Sequence, residues 1–160
     1  MTRIGCTGHQ RLSPSTRRIV AAAIADVLVT EADDDLIGLT SLAEGADQLF
    51  AHVVLAAGGQ LHGIVPSQGY EQSFALTPAR DTYKALLSLA SGNTILPFPA
   101  PAEDAYLAAG HAVADGCEIL IAVWDGQDAA GKGGTGDIVA YARERGREVR
   151  IIWPDGATRD

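Results

Sequence analysis

A chain of 160 residues with 47% hydrophobic and 20% charged residues has the composition of one folded domain, here residues 1–160. Twelve basic against twenty acidic residues leave a net charge of −8, and aromatic residues make up only 6%. These values exclude a disordered chain and set the expectation of no nucleic-acid partner and no membrane partner, since an acidic surface repels phosphate backbones and anionic lipids.

No apolar run approaches the ~20 residues needed to span a bilayer. The segment from Met1 to Gly5 has no charged stretch followed by an apolar one, so a cytoplasmic location is expected. Cys6 and Cys117 fall at opposite ends of two strands, which argues against a disulfide between them. His9, His52, His62 and His111 show no close ligand spacing, so neither a metal nor a cofactor is expected.

In chain order, residues 3–7 read as a strand. Ser13 and Pro14 then open a helix, as cap and first residue, with Val20, Ile24 and Leu28 on its apolar stripe. Residues 36–40 form the second strand. Ser41 and Glu44 have capping-box spacing before a helix that Gly58 and Gly59 end. Residues 60–65 are the third strand, stopped by Pro66 and followed by a polar stretch from Ser67 to Phe74. Thr77 and Pro78 start a helix that runs towards Gly92, and 94–96 is a short strand. Residues 103–115 are helical. Residues 118–124 are continuously apolar, as in a strand buried on both faces. A glycine-rich loop, a helix over 135–145 and a strand over 149–153 complete the pattern.

Strands alternating with helices define an α/β class: a single Rossmann-like, doubly wound, mainly parallel sheet with helices on both faces. Ligands of such folds bind outside the carboxyl ends of the strands. The loop after the first strand offers Thr7, Gly8, His9 and Arg11 as donors on a backbone that glycine leaves open. The loop after the second offers Ser41, Glu44, Gly45 and Asp47. These either cap the helix or hold a phosphate or ribose, and the two roles are compatible. Gly45 is costly in a first turn relative to alanine, which points to close approach by another group.

The loop after 118–124 is the richest. Gly126 to Lys132 fits the start of a P-loop, but Gly133 stands where its serine or threonine belongs. The better reading is a phosphate cradle at a helix mouth, built from Lys132, Gly133, Gly134 and Thr135. Glu44, Asp47, Asp125 and Asp137 then gather at the same edge. Such carboxylates either stabilise an oxocarbenium-like centre or hydrogen-bond ribose hydroxyls.

Gly5-x-Thr7-Gly8-His9, Leu42-Ala43-Glu44-Gly45-Ala46-Asp47, and Ala122-Val123-Trp124-Asp125-Gly126 with Gly131-Lys132-Gly133-Gly134-Thr135-Gly136-Asp137 resemble the SLOG superfamily over nearly the whole chain. Its Rossmann-like domains include the LONELY GUY phosphoribohydrolases and the DNA-processing protein. The resemblance implies a nucleotide or nucleotide-derived ligand at the glycine-rich loop, held by a sensor or carrier domain that is a homo-oligomer. It implies, alternatively, an enzyme that cleaves or transfers an N-glycosidic bond with Asp137 or Glu44 as the catalytic carboxylate. The LONELY GUY pattern has a proline before the glycines and a glutamate after the threonine. Here the proline is missing and the acid is Asp137, one residue early. The same stretch also resembles nucleoside 2-deoxyribosyltransferases through Asp125-Gly126, Thr135 and Tyr141-Ala142.

Overall fold

A computed structural model of the chain describes residues 1–75, 77–128 and 134–159. Strand β1 (Thr2–Gly8) leads to helix α1 (Pro14–Glu31), then β2 (Leu36–Thr40) to α2 (Ala46–Ala56). After β3 (Gln60–Val65) come α3 (Tyr70–Ser73) and α4 (Pro78–Leu89). Strand β4 (Gly92–Ile95), α5 (Glu103–Gly116), β5 (Ile119–Val123), α6 (Thr135–Glu144) and β6 (Glu148–Ile152) follow.

The strands form one sheet in the order β4-β3-β2-β1-β5-β6, and every pairing is parallel. The order runs outward from β1 to β4, then returns across the sheet to β5. The strand-order reversal therefore lies between β1 and β5, where such folds open a crevice at the carboxyl edge.

Period-two alternation sends strand side chains to two cores. Ile4, Cys6, Ile121 and Val123 pack with Val20, Ile24, Phe50, Val54 and Leu86 of α1, α2 and α4. Leu39, Ile64 and Leu120 pack with Val113 of α5 and Ile138 and Ala142 of α6. The two cysteines sit in different cores, both buried and unpaired. Among the described residues, no helix is long and apolar enough to cross a membrane.

Local signals explain most element ends. The N–H of Thr16 donates to the Ser13 side chain at 3.2 Å, and Pro14 occupies the first turn of α1. Gly58 takes a φ of 83° behind α2, which leaves its N–H and that of Gly59 to close on Leu55 and Val54 carbonyls. Three expectations are corrected. The capping box at Ser41 and Glu44 does not form, because the chain turns through Gly45 and α2 begins only at Ala46. The polar stretch after β3 contains the short helix α3. Helix α4 stops at Leu89, and Gly92 belongs to β4.

Two glycines let backbone meet backbone at the strand-order reversal. A Cβ on Gly8 would lie 2.5 Å from the Cβ of Ala46 and 2.8 Å from that of Val123. A Cβ on Gly45 would lie 2.3 Å from the Gln10 carbonyl oxygen, and its φ of 89° disfavours any side chain. The group whose approach Gly45 permits is thus the chain's own β1–α1 loop. Gly45→Ala combines left-handed strain with a backbone clash, so it lowers unfolding free energy by about 2–4 kcal/mol. Urea denaturation checks this, and an unchanged midpoint would contradict the described junction.

Candidate functional site

The carboxyl edge of the sheet encloses a cavity of about 710 Å³, a size suited to a small-molecule ligand. Thr7 and Gly8 at the end of β1, His9 and Arg11 beyond it, and Ser41, Glu44 and Asp47 after β2 all reach its wall. Gly134 and Thr135 reach it from the mouth of α6. Gly45, Asp125, Gly126 and Asp137 do not line it, and Asp137 is exposed. Lys132 and Gly133 lie outside the described residues.

Asp47 is the buried acid of the wall, only 8% exposed. The Ala43 N–H donates to its Oδ2 at 3.4 Å, and the Thr40 hydroxyl and Ser41 backbone also hydrogen-bond to it. Burial outweighs these bonds and pushes its pKa up to about 7. The loop it organises contains Leu42, a buried side chain on a backbone with φ of 58°, a conformation that persists only when its surroundings enforce it. The Leu42 N–H donates to Thr40 Oγ1 at 3.1 Å, which supplies part of that enforcement.

His9 is 8% exposed, and Trp153 packs edge-on against its ring at 5.5 Å. Burial and the nearby Arg159 hold its pKa below the usual imidazole value, against the pull of Asp125. Neutral Nε2 accepts from the Asp125 N–H at 3.0 Å. The Oδ1 of Asp125, 3.2 Å from the same nitrogen, becomes its hydrogen-bond acceptor only when the ring is protonated. Burial opposes ionisation of Asp125. The Gln127 N–H, His9 and Arg159 together overcome that and hold its carboxyl below the ordinary value. Arg159 Nη1 lies 3.5 Å from Asp125 Oδ2, and the arginine itself lines the cavity.

An aromatic wall was not legible in the composition. Tyr70, Phe74, Tyr106 and Trp124 line the cavity, four of the nine aromatic residues in the chain. Tyr70 touches Phe74, Tyr83 and Tyr106 at centroid distances of 5.2, 5.3 and 6.4 Å, and Phe74 stacks on Tyr83 at 4.9 Å. Burial, then the Asp47 carboxylate, keeps the Tyr70 phenol protonated. Tyr70 is the signal that sequence reading passed over: one large aromatic amid the polar residues after β3. Burial also pushes the Cys6 thiol well above its usual value, so it is no nucleophile at neutral pH. Among the described residues, no three histidine, cysteine or acidic side chains gather to hold a metal.

An all-parallel, doubly wound sheet with a ligand-sized cavity at its strand-order reversal defines a Rossmann-like α/β domain. DNA processing protein A from Streptococcus pneumoniae has this fold, with a TM-score of 0.69 and 18% identity. The match covers 98% of this chain and 52% of that one, so the chain spans about half the length of that protein. DNA processing protein A from Helicobacter pylori, described for its single-stranded DNA binding mode, matches with a TM-score of 0.68 and 12% identity over 99% and 68% of the two chains. The structural genomics target TM1055 matches with a TM-score of 0.60 and 16% identity over 93% and 72%. No protein-family model and no curated protein matches the sequence.

The expectation of no nucleic-acid partner is corrected by these matches. The fold is one on which single-stranded DNA binding occurs, as in the H. pylori protein. The physical error lay in using whole-chain charge. The field that a ligand meets is local, and Arg11, Arg159 and the mouth of α6 place cationic groups beside the acids of one cavity in an acidic protein.

Asp47 generates a pH prediction. The folded chain keeps a proton on Asp47 that the unfolded chain, near the ordinary value of 3.8, has released. Stability therefore falls as pH rises from about 4 to about 7 and stays reduced above that, by at most about 4 kcal/mol. Asp47→Asn should remove this component and be the more stable protein at pH 8. Urea midpoints of both proteins across that range check it, and parallel profiles would refute it.

Proposed function

We propose that the chain binds a nucleotide or nucleotide-derived ligand across the carboxyl edge of its sheet, as a cytoplasmic sensor or carrier domain. The observation that carries this reading is the order of chemistry along that edge. After β3 stand the rings of Tyr70 and Phe74; after β2, the carboxylates of Glu44 and Asp47. After β1 stand His9 and Arg11, and after β5 the glycine-flanked mouth of α6.

Adjacent strands are about 4.8 Å apart, so β3 to β5 spans roughly 14 Å, comparable with an extended mononucleotide. In this reading a base stacks on the aromatic wall and carboxylates accept from ribose hydroxyls. The phosphate meets the backbone N–H groups of Gly134, Thr135 and Gly136 in the first turn of α6, where the helix dipole is positive. Thr135 is the first residue of α6 and nine-tenths buried, and its N-cap position is Gly134, which has no side chain to cap it.

Asp47 favours a second reading, N-glycosidic bond cleavage or transfer. A buried carboxyl at the cavity wall that titrates near 7 suits general acid–base work. Asp137, exposed and off the wall, is poorly placed for that role.

A thermal-shift screen with nucleoside monophosphates, ADP-ribose, NAD, adenosine and a short single-stranded oligonucleotide tests both readings. A ligand at 100 times its Kd adds about 2.7 kcal/mol, a shift of several degrees for a chain of this size. Gly134→Asp should abolish the shift, and Tyr106→Ala should weaken binding by about five- to a hundredfold. Chromatography of each sample separates the readings. Intact ligand supports the sensor or carrier. Free base that disappears in Asp47→Asn supports the enzyme.

A further inference from the structure

The segment after β6 crosses to the β1–α1 loop and is fixed there. The Thr158 N–H donates to Thr16 Oγ1 at 2.8 Å, and its hydroxyl donates to Ser13 Oγ at 3.1 Å. The Ser13 N–H reaches the Thr158 carbonyl at 3.4 Å, and Arg159 forms an antiparallel bridge with Leu12. The backbone of Arg159 is thus pinned to the N-cap of α1, beside the cavity. Its side chain is not. The guanidinium is half exposed, and its ion pair with Asp125 is long, at 3.5 Å.

Asp125 does not depend on that ion pair. The Gln127 N–H donates to its Oδ1 at 3.0 Å, and its own N–H is held by His9. Arg159 is therefore the loosely engaged partner, a guanidinium on a fixed backbone, free to turn towards the cavity it already lines. The charge around that cavity makes the turn consequential. Among its described lining residues, the cations are Arg11 and Arg159, and the carboxylates are Glu44, Asp47 and Asp128. Without Arg159, one arginine faces the carboxylates of Glu44 and Asp128 and the partly protonated Asp47, and a phosphate entering would meet net repulsion.

We propose that Arg159 is the residue by which this cavity selects anionic ligands, its guanidinium exchanging Asp125 for the incoming phosphate. The planar fork of arginine suits two phosphate oxygens, and a charge-assisted pair of this kind is among the stronger polar contacts. The proposal rests on the nucleotide reading for the natural ligand, but anion selection can be tested without it.

The two tryptophans of the chain, Trp124 on the cavity wall and Trp153 against His9, make intrinsic fluorescence a local probe. We would titrate wild type, Arg159→Ala and Arg159→Lys with AMP, adenosine and inorganic pyrophosphate. Arg159→Ala should weaken AMP and pyrophosphate about tenfold or more and leave adenosine unchanged, with Arg159→Lys between. Equal loss for AMP and adenosine, or no loss for either anion, would overturn the assignment. Asp125→Asn is the second variant. It removes the competitor of the phosphate and should tighten pyrophosphate binding, and weaker binding would overturn the exchange. Arg159-dependent pyrophosphate binding without any AMP or adenosine binding would uphold Arg159 and overturn the nucleotide reading. A wild-type chain that takes none of the three would overturn both.

Discussion

The close approach of two backbones at Gly8 and Gly45 is the constraint from which the site follows. The Ala46 N–H donates to the His9 carbonyl at 3.1 Å, and the His9 N–H donates to Val123 at 3.1 Å. These bonds tie the β1–α1 loop to α2 and to β5 at once. Side chains at either glycine would force the three elements apart and unseat the loop that carries His9, Arg11 and the Ser13 cap. The same contact brings the first turn of α2 over the end of β1, so Asp47 comes to lie in the cavity wall rather than in solvent. Packing and site are one arrangement here, because the residues that let the sheet close also set the floor of the cavity.

Burying Asp47 is unfavourable for its charge, yet the carboxylate has structural work to perform. Loop 40–43 carries a left-handed Leu42, and its backbone donors point inward. Asp47 accepts from them, as Thr40 Oγ1 accepts from Leu42. An apolar side chain at this position would leave those donors buried and unpaired, which costs more than a shifted pKa. On the other flank, His9, Asp125 and Arg159 solve a similar problem differently. The carboxylate is satisfied by a backbone N–H and two neighbours, and the imidazole stays neutral. The cavity wall thus holds an acid that titrates near neutrality, and the ionised Asp125 stands outside the lining, paired with His9 and Arg159.

Much of the fold could be read from the sequence because its signals are local. The Ser13–Pro14 start, the Gly58 stop and the unbroken apolar run of β5 each depend on a few neighbouring residues. The failures share the opposite property. Ser41 and Glu44 have capping-box spacing, but the tertiary contact at Gly45 moves the helix start to Ala46. Tyr70 reads as one aromatic in a polar loop until Tyr83 and Tyr106, distant in sequence, pack around it. Arg159 sits far from every motif and reaches the cavity only because its segment pairs with Leu12. Of the candidate residues, those of the first-strand loop and the acids after β2 follow from their position in the fold, and the structure places them on the cavity wall. Asp137 follows from the resemblance of the glycine-rich loop, and it is exposed and off that wall.

An acidic protein with arginines in its cavity has a particular kind of selectivity under the nucleotide reading. A bare anion gains from Arg11, Arg159 and the mouth of α6, but it is repelled by Glu44 and Asp128, and by Asp47 once that acid ionises. A neutral nucleoside gains from the aromatic wall and leaves the arginines unused. A ligand that carries hydroxyl donors between a base and a phosphate turns the repelling carboxylates into acceptors while its anion engages the guanidinium groups. The mixture of charges therefore works against each half of the ligand separately and favours the whole. On that logic the carboxylates are not a flaw in a phosphate site. Under that reading they make the site favour a sugar beside the phosphate.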